Sequence, residues 1–207
     1  PPVFGGVFLT TSPAYNDSIL TAVISAVDAD DGAPGLSITW TNVTTGTPLG
    51  STATTVQLDP SLASPGDVIR CDVTATDSDG AFDNGFAEQT IENRDPVVSA
   101  SIAATGTGSS ALLTCSSTAT DADDLSAPVP TFAWQDSTGG SLGTGPSLSL
   151  DSSMGGYGTD VTCLATAIDE YGAAVTASAI YTIGNTPPTA PTVEISPEYP
   201  VEGDDLV

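Results

Sequence analysis

One pattern occurs twice in this chain, and that fact limits its folds more than any other. The stretch from Ile19-Leu20-Thr21-Ala22 to Asp28-Ala29-Asp30-Asp31 returns as Leu112-Leu113-Thr114-Cys115 to Asp121-Ala122-Asp123-Asp124, 93 positions on. Leu36-Ser37-Ile38-Thr39-Trp40 returns as Pro130-Thr131-Phe132-Ala133-Trp134, 94 positions on. Asp67-Val68-Ile69-Arg70-Cys71 meets Asp160-Val161-Thr162-Cys163, and Ala75-Thr76-Asp77 meets Ala167-Ile168-Asp169 at an offset of 92. Landmarks in one order at a near-constant offset mean two copies of one folding unit. A third copy starts near the end. Pro187-Pro188 echoes Pro1-Pro2, Ser196-Pro197-Glu198-Tyr199 echoes Ser12-Pro13-Ala14-Tyr15, and Leu206-Val207 falls where a second strand begins. The expected division is 1–94, 95–186 and the first strand of a third unit at 187–207, an excerpt of a longer array. The alternative for the last segment is a strand donated to a neighbour. The joining segments Glu92-Asn93-Arg94-Asp95-Pro96 and Gly184-Asn185-Thr186-Pro187-Pro188 are short and contain proline, so they read as semi-rigid.

Within each copy the apolar residues alternate in short runs, the period of a half-buried strand. Strands are expected near 3–11, 19–27, 36–42, 53–58, 68–76 and 86–92. In the second copy they are expected near 97–104, 111–120, 130–135, 146–150, 160–168 and 174–182. No segment has a helical period. About seven short strands in roughly 92 residues is the signature of an immunoglobulin-like sandwich. The predicted fold class is all-β, with tandem immunoglobulin-like β-sandwich domains in an elongated array.

Cys115 and Cys163 fall on the expected strands 111–120 and 160–168 of their copy, with Trp134 on 130–135. That is the cysteine, tryptophan, cysteine order of an immunoglobulin-type core, where a disulfide joins the sheets and the indole packs on it. The expected bridge is Cys115–Cys163, with Trp40 and Trp134 as core residues; two buried free thiols are the alternative. A bridge would imply an oxidising compartment. Cys71 matches Cys163, but Ala22 stands where Cys115 would be, so Cys71 is expected to remain a buried thiol.

Charge removes whole classes of function. The 207 residues include 2 Lys+Arg (Arg70 and Arg94), 26 Asp+Glu and no His, a net charge of −24. Two arginines build no nucleic-acid footprint and no attraction to an anionic membrane. Without His or Lys, the abundant Ser and Thr have no ordinary base to activate them. No run of about 18 apolar residues is present to span a bilayer. The chain is expected to be no enzyme.

Three features resemble the immunoglobulin-like tandem repeats of large secreted or surface proteins of myxobacteria and related bacteria. They are Pro187-Pro188-Thr189-Ala190-Pro191 followed by Val193-Glu194-Ile195-Ser196-Pro197, the Asp-Ala-Asp-Asp run before Trp, and the Cys-x-x-x-Ala-x-Asp strand ending in Gly. PKD-like and cadherin-like repeats are of the same general type. The Trp-x-Phe-Gly-Asp-Gly core of PKD domains and the paired Asn-Asp linker of cadherins are absent. The resemblance implies an extracellular or cell-surface spacer, adhesive or fibre-forming module.

The acidic residues gather in loops. Calcium takes six to eight oxygen ligands, which clustered carboxylates and Asn supply. In such a sandwich the loops after the strands at 111–120 and 160–168 share an end with the incoming linker. The second copy therefore gathers Asp121, Asp123, Asp124, Asp169 and Glu170 near Glu92, Asn93 and Asp95, a candidate interdomain calcium site. The Asn16–Asp17 and Asp59–Asp67 loops of the first copy are expected on the other side of this joint. Asp28, Asp30, Asp31, Asp77 and Asp79, with Asp83 and Asn84 nearby, form the equivalent candidate at the N-terminal end. Solvated turns, capped by Asp and opened by Gly, are the plain alternative. Two sequons occur, Asn16-Asp17-Ser18 and Asn42-Val43-Thr44. The function read from the sequence is a non-catalytic stalk, spacer or fibre-forming repeat whose partners are neighbouring repeats. The alternatives are an adhesin that binds a glycan or protein, and a filament subunit that donates its C-terminal segment to another copy of itself.

Overall fold

The structure is a computed structural model and describes residues 1–30, 32–188, 190–192 and 202. Asp31 and most of the segment assigned to a third repeat lie outside the described residues. The first copy forms β1 (Val3–Leu9), β2 (Ile19–Val27), β3 (Gly35–Asn42), β4 (Thr47–Pro48), β5 (Thr55–Gln57), β6 (Val68–Thr76) and β7 (Phe82–Thr90). They make two antiparallel sheets, ordered β1-β2-β5 and β4-β3-β6-β7. The second copy forms β8 (Val97–Val98), β9 (Ser101–Thr105), β10 (Leu112–Ser116), β11 (Ala119–Thr120), β12 (Thr131–Asp136), β13 (Ser141–Thr144), β14 (Ser147–Ser149), β15 (Asp160–Ile168) and β16 (Ala174–Thr182). Its sheets are β14-β10-β9 and β13-β12-β15-β16, with a small β11-β8 pair beside them. The fold is therefore all-β, two immunoglobulin-like sandwiches in tandem.

The sequence repeat is a repeat of cores. On β6 every second residue is buried: Ile69, Cys71, Val73 and Ala75; on β15 the matching set is Val161, Cys163, Ala165 and Ala167. That is the two-residue period of a strand with one face on a core. Trp40 and Trp134 sit at the two centres, and each indole Nε1 donates to a loop carbonyl at 2.9 Å, Ala53 in one copy and Gly145 in the other. A buried indole N–H left without an acceptor would cost the fold, so these paired contacts fix the tryptophans in both copies. Cys115 and Cys163 form a disulfide with Cα atoms 6.4 Å apart, and Cys71 is free and buried.

Three expectations need correction. The last strand of the first copy starts at Phe82 rather than 86, because Thr76 and Phe82 pair directly across the Asp77–Ala81 turn. The first two strands of the second copy are each broken in two. Ser99 and Thr118 hydroxyls bond to each other and to neighbouring backbone there, and Ser117 Oγ donates to Ser99 O. Such local side-chain bonds compete with the ladder. The hairpin strand β13 was not expected; the turn before it is held by Asp136 Oδ1, which accepts from Thr138 N and Gly140 N at 2.8 Å each.

Candidate functional site

The joint between the sandwiches is built from three loops and one linker. Two of the loops belong to the second sandwich, after β11 and after β15. Each is closed by an Asp that accepts its own backbone: Asp123 N donates to Asp121 Oδ1 at 2.7 Å, and Ala173 N donates to Asp169 Oδ1 at 2.7 Å. Asp and Gly fold such turns readily, because the carboxylate mimics a backbone acceptor and Gly172 takes a φ of +95°. The third loop is Tyr15-Asn16-Asp17 of the first sandwich.

Arg94 ties these parts together. Its backbone N donates to Asp123 Oδ2 at 2.6 Å, its Nε to Asp123 Oδ1 at 3.0 Å and its Nη2 to the same oxygen at 2.7 Å. Nη2 also lies 2.9 Å from Asp17 Oδ1, and the guanidinium carbon stands 4.6 Å from the centre of the Tyr15 ring. Asn16 Nδ2 donates to the Asp123 carbonyl at 2.9 Å, and Asn93 Nδ2 donates to Asp169 Oδ2 at 2.7 Å. The Asp123 side chain is fully shielded from solvent, so its carboxylate depends on Arg94 for charge balance. The hydrogen bonds that Arg94 donates to Asp123 and Asp17 outweigh burial and push its guanidinium further up from its ordinary value.

Beside this clamp lies a second group. Glu170 N donates to Asp124 Oδ1 at 3.2 Å. Burial pushes the Asp124 carboxyl up, and the charges of Asp121, Glu170 and Asp169 add to that, against the hydrogen bond from Glu170 N. At Asp169 burial also pushes up, but the bonds from Asn93, Ala173, Tyr171 and Gly172 win and hold it below the usual 3.8. Asn93 Oδ1 and Asp121 Oδ2 are buried and accept no hydrogen bond from the described residues.

Placement differs among the candidate residues. Asn93, Asp121, Asp123, Asp124, Asp169 and Glu170 come together at the joint, but both oxygens of Asp123 are taken by Arg94. Glu92 and Asp95 are exposed, and Glu92 N donates to Ala14 O. Asp59 and Asp67 lie within their own loops: Asp59 Oδ1 accepts Ser61 N, and Asp67 Oδ2 accepts Asn42 Nδ2 and Ser64 N. At the far end of the first sandwich, Asp28 and Asp77 each have a carboxylate oxygen 3.8 Å from the Pro1 nitrogen, while Asp30 and Asp79 are exposed. Asp83 Oδ2 accepts Phe4 N at 2.9 Å, and Asn84 is exposed. Both sequon asparagines are fully buried: Asn16 is in the joint, and Asn42 Nδ2 donates to Asp67 and to the Leu62 carbonyl. From the sequence Arg94 stands out only as one of two basic residues. Its role as the clamp was signalled by scarcity, since one of two basic residues stands in the linker. The Asn16–Asp17 loop lies at the joint where the sandwich topology puts it, whereas Tyr15 carried no signal.

Among the described residues no group of three or more His, Cys, Asp or Glu is disposed to hold a metal ion, and no helix is long and apolar enough to cross a membrane. No protein-family model matches the chain, and no curated protein matches it in sequence. Among solved structures it is similar to a tetra-tandem repeat in the extending region of a large adhesion protein, at 20% identity and a TM-score of 0.34, over 86% of this chain and 48% of that one. The chain thus spans about half the length of that structure. It is also similar to DIP-gamma IG1+IG2, at 17% identity and a TM-score of 0.31, over 89% and 98% of the two chains. A third is the Ca²⁺-stabilised adhesin with which an Antarctic bacterium binds ice, at 18% and 0.32, over 87% and 48%. Likeness this slight carries no site, ligand or partner across.

Proposed function

We propose that the chain is a non-catalytic segment of a larger extracellular or cell-surface protein, with domains at 1–94 and 95–186 and the start of a third repeat at 187–207. Its task in this reading is mechanical: to hold neighbouring repeats at a set orientation, as a stalk, spacer or fibre repeat of the type found in large surface proteins of myxobacteria and related bacteria. The observation that carries it is the Arg94–Asp123 pair across the joint, a charge-assisted contact with one partner fully desolvated. In Arg94→Gln, small-angle scattering and residual dipolar couplings should report a wider spread of interdomain orientations. An unchanged distribution would sink the proposal. The adhesin and filament readings have no comparable observation behind them.

Calcium belongs to this reading as a stiffener of the joint. The donors are all oxygen, as calcium requires, and Asn93 Oδ1 and Asp121 Oδ2 are buried acceptors with no donor among the described residues. Asn93, Asp121, Asp124, Asp169 and Glu170 would hold the ion, which would supply positive charge where Arg94 does not reach. Asp123 is spoken for by Arg94. Since the described residues form no ready cage, binding would be coupled to a closing of the two loops.

A further inference from the structure

The outer face of the β1-β2-β5 sheet is apolar, while its counterpart in the second sandwich is polar. On β2, Ile19, Val23 and Val27 point outward, and their matches 93 positions on are Leu112, Ser116 and Thr120. The inward residues are buried in both copies, Leu20 and Ala22 in one, Leu113 and Cys115 in the other. The core therefore does not require valine on the outside. β1 widens the same face, since Val3 pairs with Val27 and Phe8 with Val23. These five side chains, Val3, Phe8, Ile19, Val23 and Val27, are 41–62% exposed. Apolar side chains set together on a solvent-facing sheet mark a contact surface. Charge and relief say what covers this one. β1, β2 and β5 contain no charged residue, in a chain of net charge −24. A cationic partner finds nothing to pair with here, whereas two copies can meet without setting carboxylate against carboxylate. Between the Val3–Val27 and Phe8–Val23 pairs, Gly6 stands opposite Ser25, and a Cβ built on Gly6 meets nothing within 4 Å. The face thus carries a knob, Phe8, beside a dip at Gly6. A two-fold rotation brings each Phe8 over the other copy's dip, which is the self-complementarity of an isologous contact.

We infer that two copies of this chain pair side by side through the β1-β2 faces of their first sandwiches, sheet on sheet with the strands nearly aligned. This deepens the fibre-repeat reading by naming the partner as a second copy. It makes no use of the joint, and Arg94→Gln leaves the face intact, so either can fail alone. The face measures roughly 30 Å along β2 and about 10 Å across its three strands. Two such faces bury less than the roughly 1,200–2,000 Å² of a stable complex, so the pairing is weak and concentration-dependent.

Sedimentation equilibrium of the 207-residue chain, from about 10 µM to about 1 mM, tests this. A monomer–dimer equilibrium is expected, and it should strengthen as NaCl screens the −24 charge of each copy. Val23→Ser with Val27→Thr copies the residue types of Ser116 and Thr120, which the second sandwich carries exposed at the same places. This variant should fold as before and weaken the dimer at least about tenfold. Ser25→Glu, which sets a carboxylate in the middle of the face, should abolish pairing. Ser37→Glu adds the same charge at an exposed position of β3, on the other sheet, and should leave pairing unchanged. A chain that stays monomeric at every concentration would overturn the inference. So would a dimer that survives Ser25→Glu, or one that Ser37→Glu disrupts equally.

Discussion

Residue 22 shows how little separates the two cores. Ala22 and Cys71 are buried in the first core where Cys115 and Cys163 are bridged in the second. Burial, helped by the charge of Asp72, pushes the Cys71 thiol up to about 11, so it stays protonated and inert. Ala22→Cys should therefore form a bridge with Cys71 on oxidation, detectable by mass mapping under non-reducing conditions. A closed loop of this length raises stability by about 4 kcal/mol in the chain-entropy model. If the two thiols stay free under oxidant, the cores are less alike than their sequences. Gly85 is a second such position. A Cβ built there runs into the Phe4 ring, which packs on the first core. Gly85→Ala should lower the urea midpoint of the first sandwich, at a cost of about 1–3 kcal/mol.

At the scale of elements, the turn after β15 is where pH should act. Asp169 has its pKa lowered in the folded chain, so its contribution is present above the ordinary carboxylate value and is lost as pH falls through the folded value. Asp124 has the opposite sign: its raised pKa favours the fold when it is protonated, and that benefit goes as pH rises through the folded value. Urea midpoints of the second sandwich followed from about pH 6 to about pH 2 should thus fall in the acid limb, and Asp169→Asn should flatten that limb. An acid limb unchanged by the substitution would remove Asp169 from the joint's energetics. Strands with strict alternation, such as β6 and β15, were legible in the sequence because their faces differ so plainly. The breaks between β8 and β9 and between β10 and β11 were not, because serine and threonine hydroxyls decide them and leave no periodic trace. The convergence of the β11 and β15 loops on the linker followed from topology alone. The partners chosen there depend on side-chain reach, and so Arg94 took Asp123 out of the acidic group.

For the whole molecule, a net charge of −24 makes every contact between repeats a contest with repulsion. Like charges about 5 Å apart cost on the order of 3 kcal/mol at an effective dielectric of 20. Calcium titrated at fixed ionic strength should release heat and narrow the orientation distribution, while Asp121→Asn should abolish both. No heat, and no change in maximum dimension between calcium and chelator, would leave Arg94 as the sole clamp. The buried asparagines have a different kind of consequence, for how the chain can be made. Asn16 and Asn42 head tripeptides that glycosylating secretory pathways modify while a chain is still unfolded. A sugar on Asn42 has no room beside Leu62 and Asp67, and one on Asn16 would wedge the two repeats apart at Asp123. Material secreted from such a host should emerge misfolded or open at the joint. Blocking N-glycosylation in the same cells should restore its yield, which makes the producing cell itself a condition of the fold.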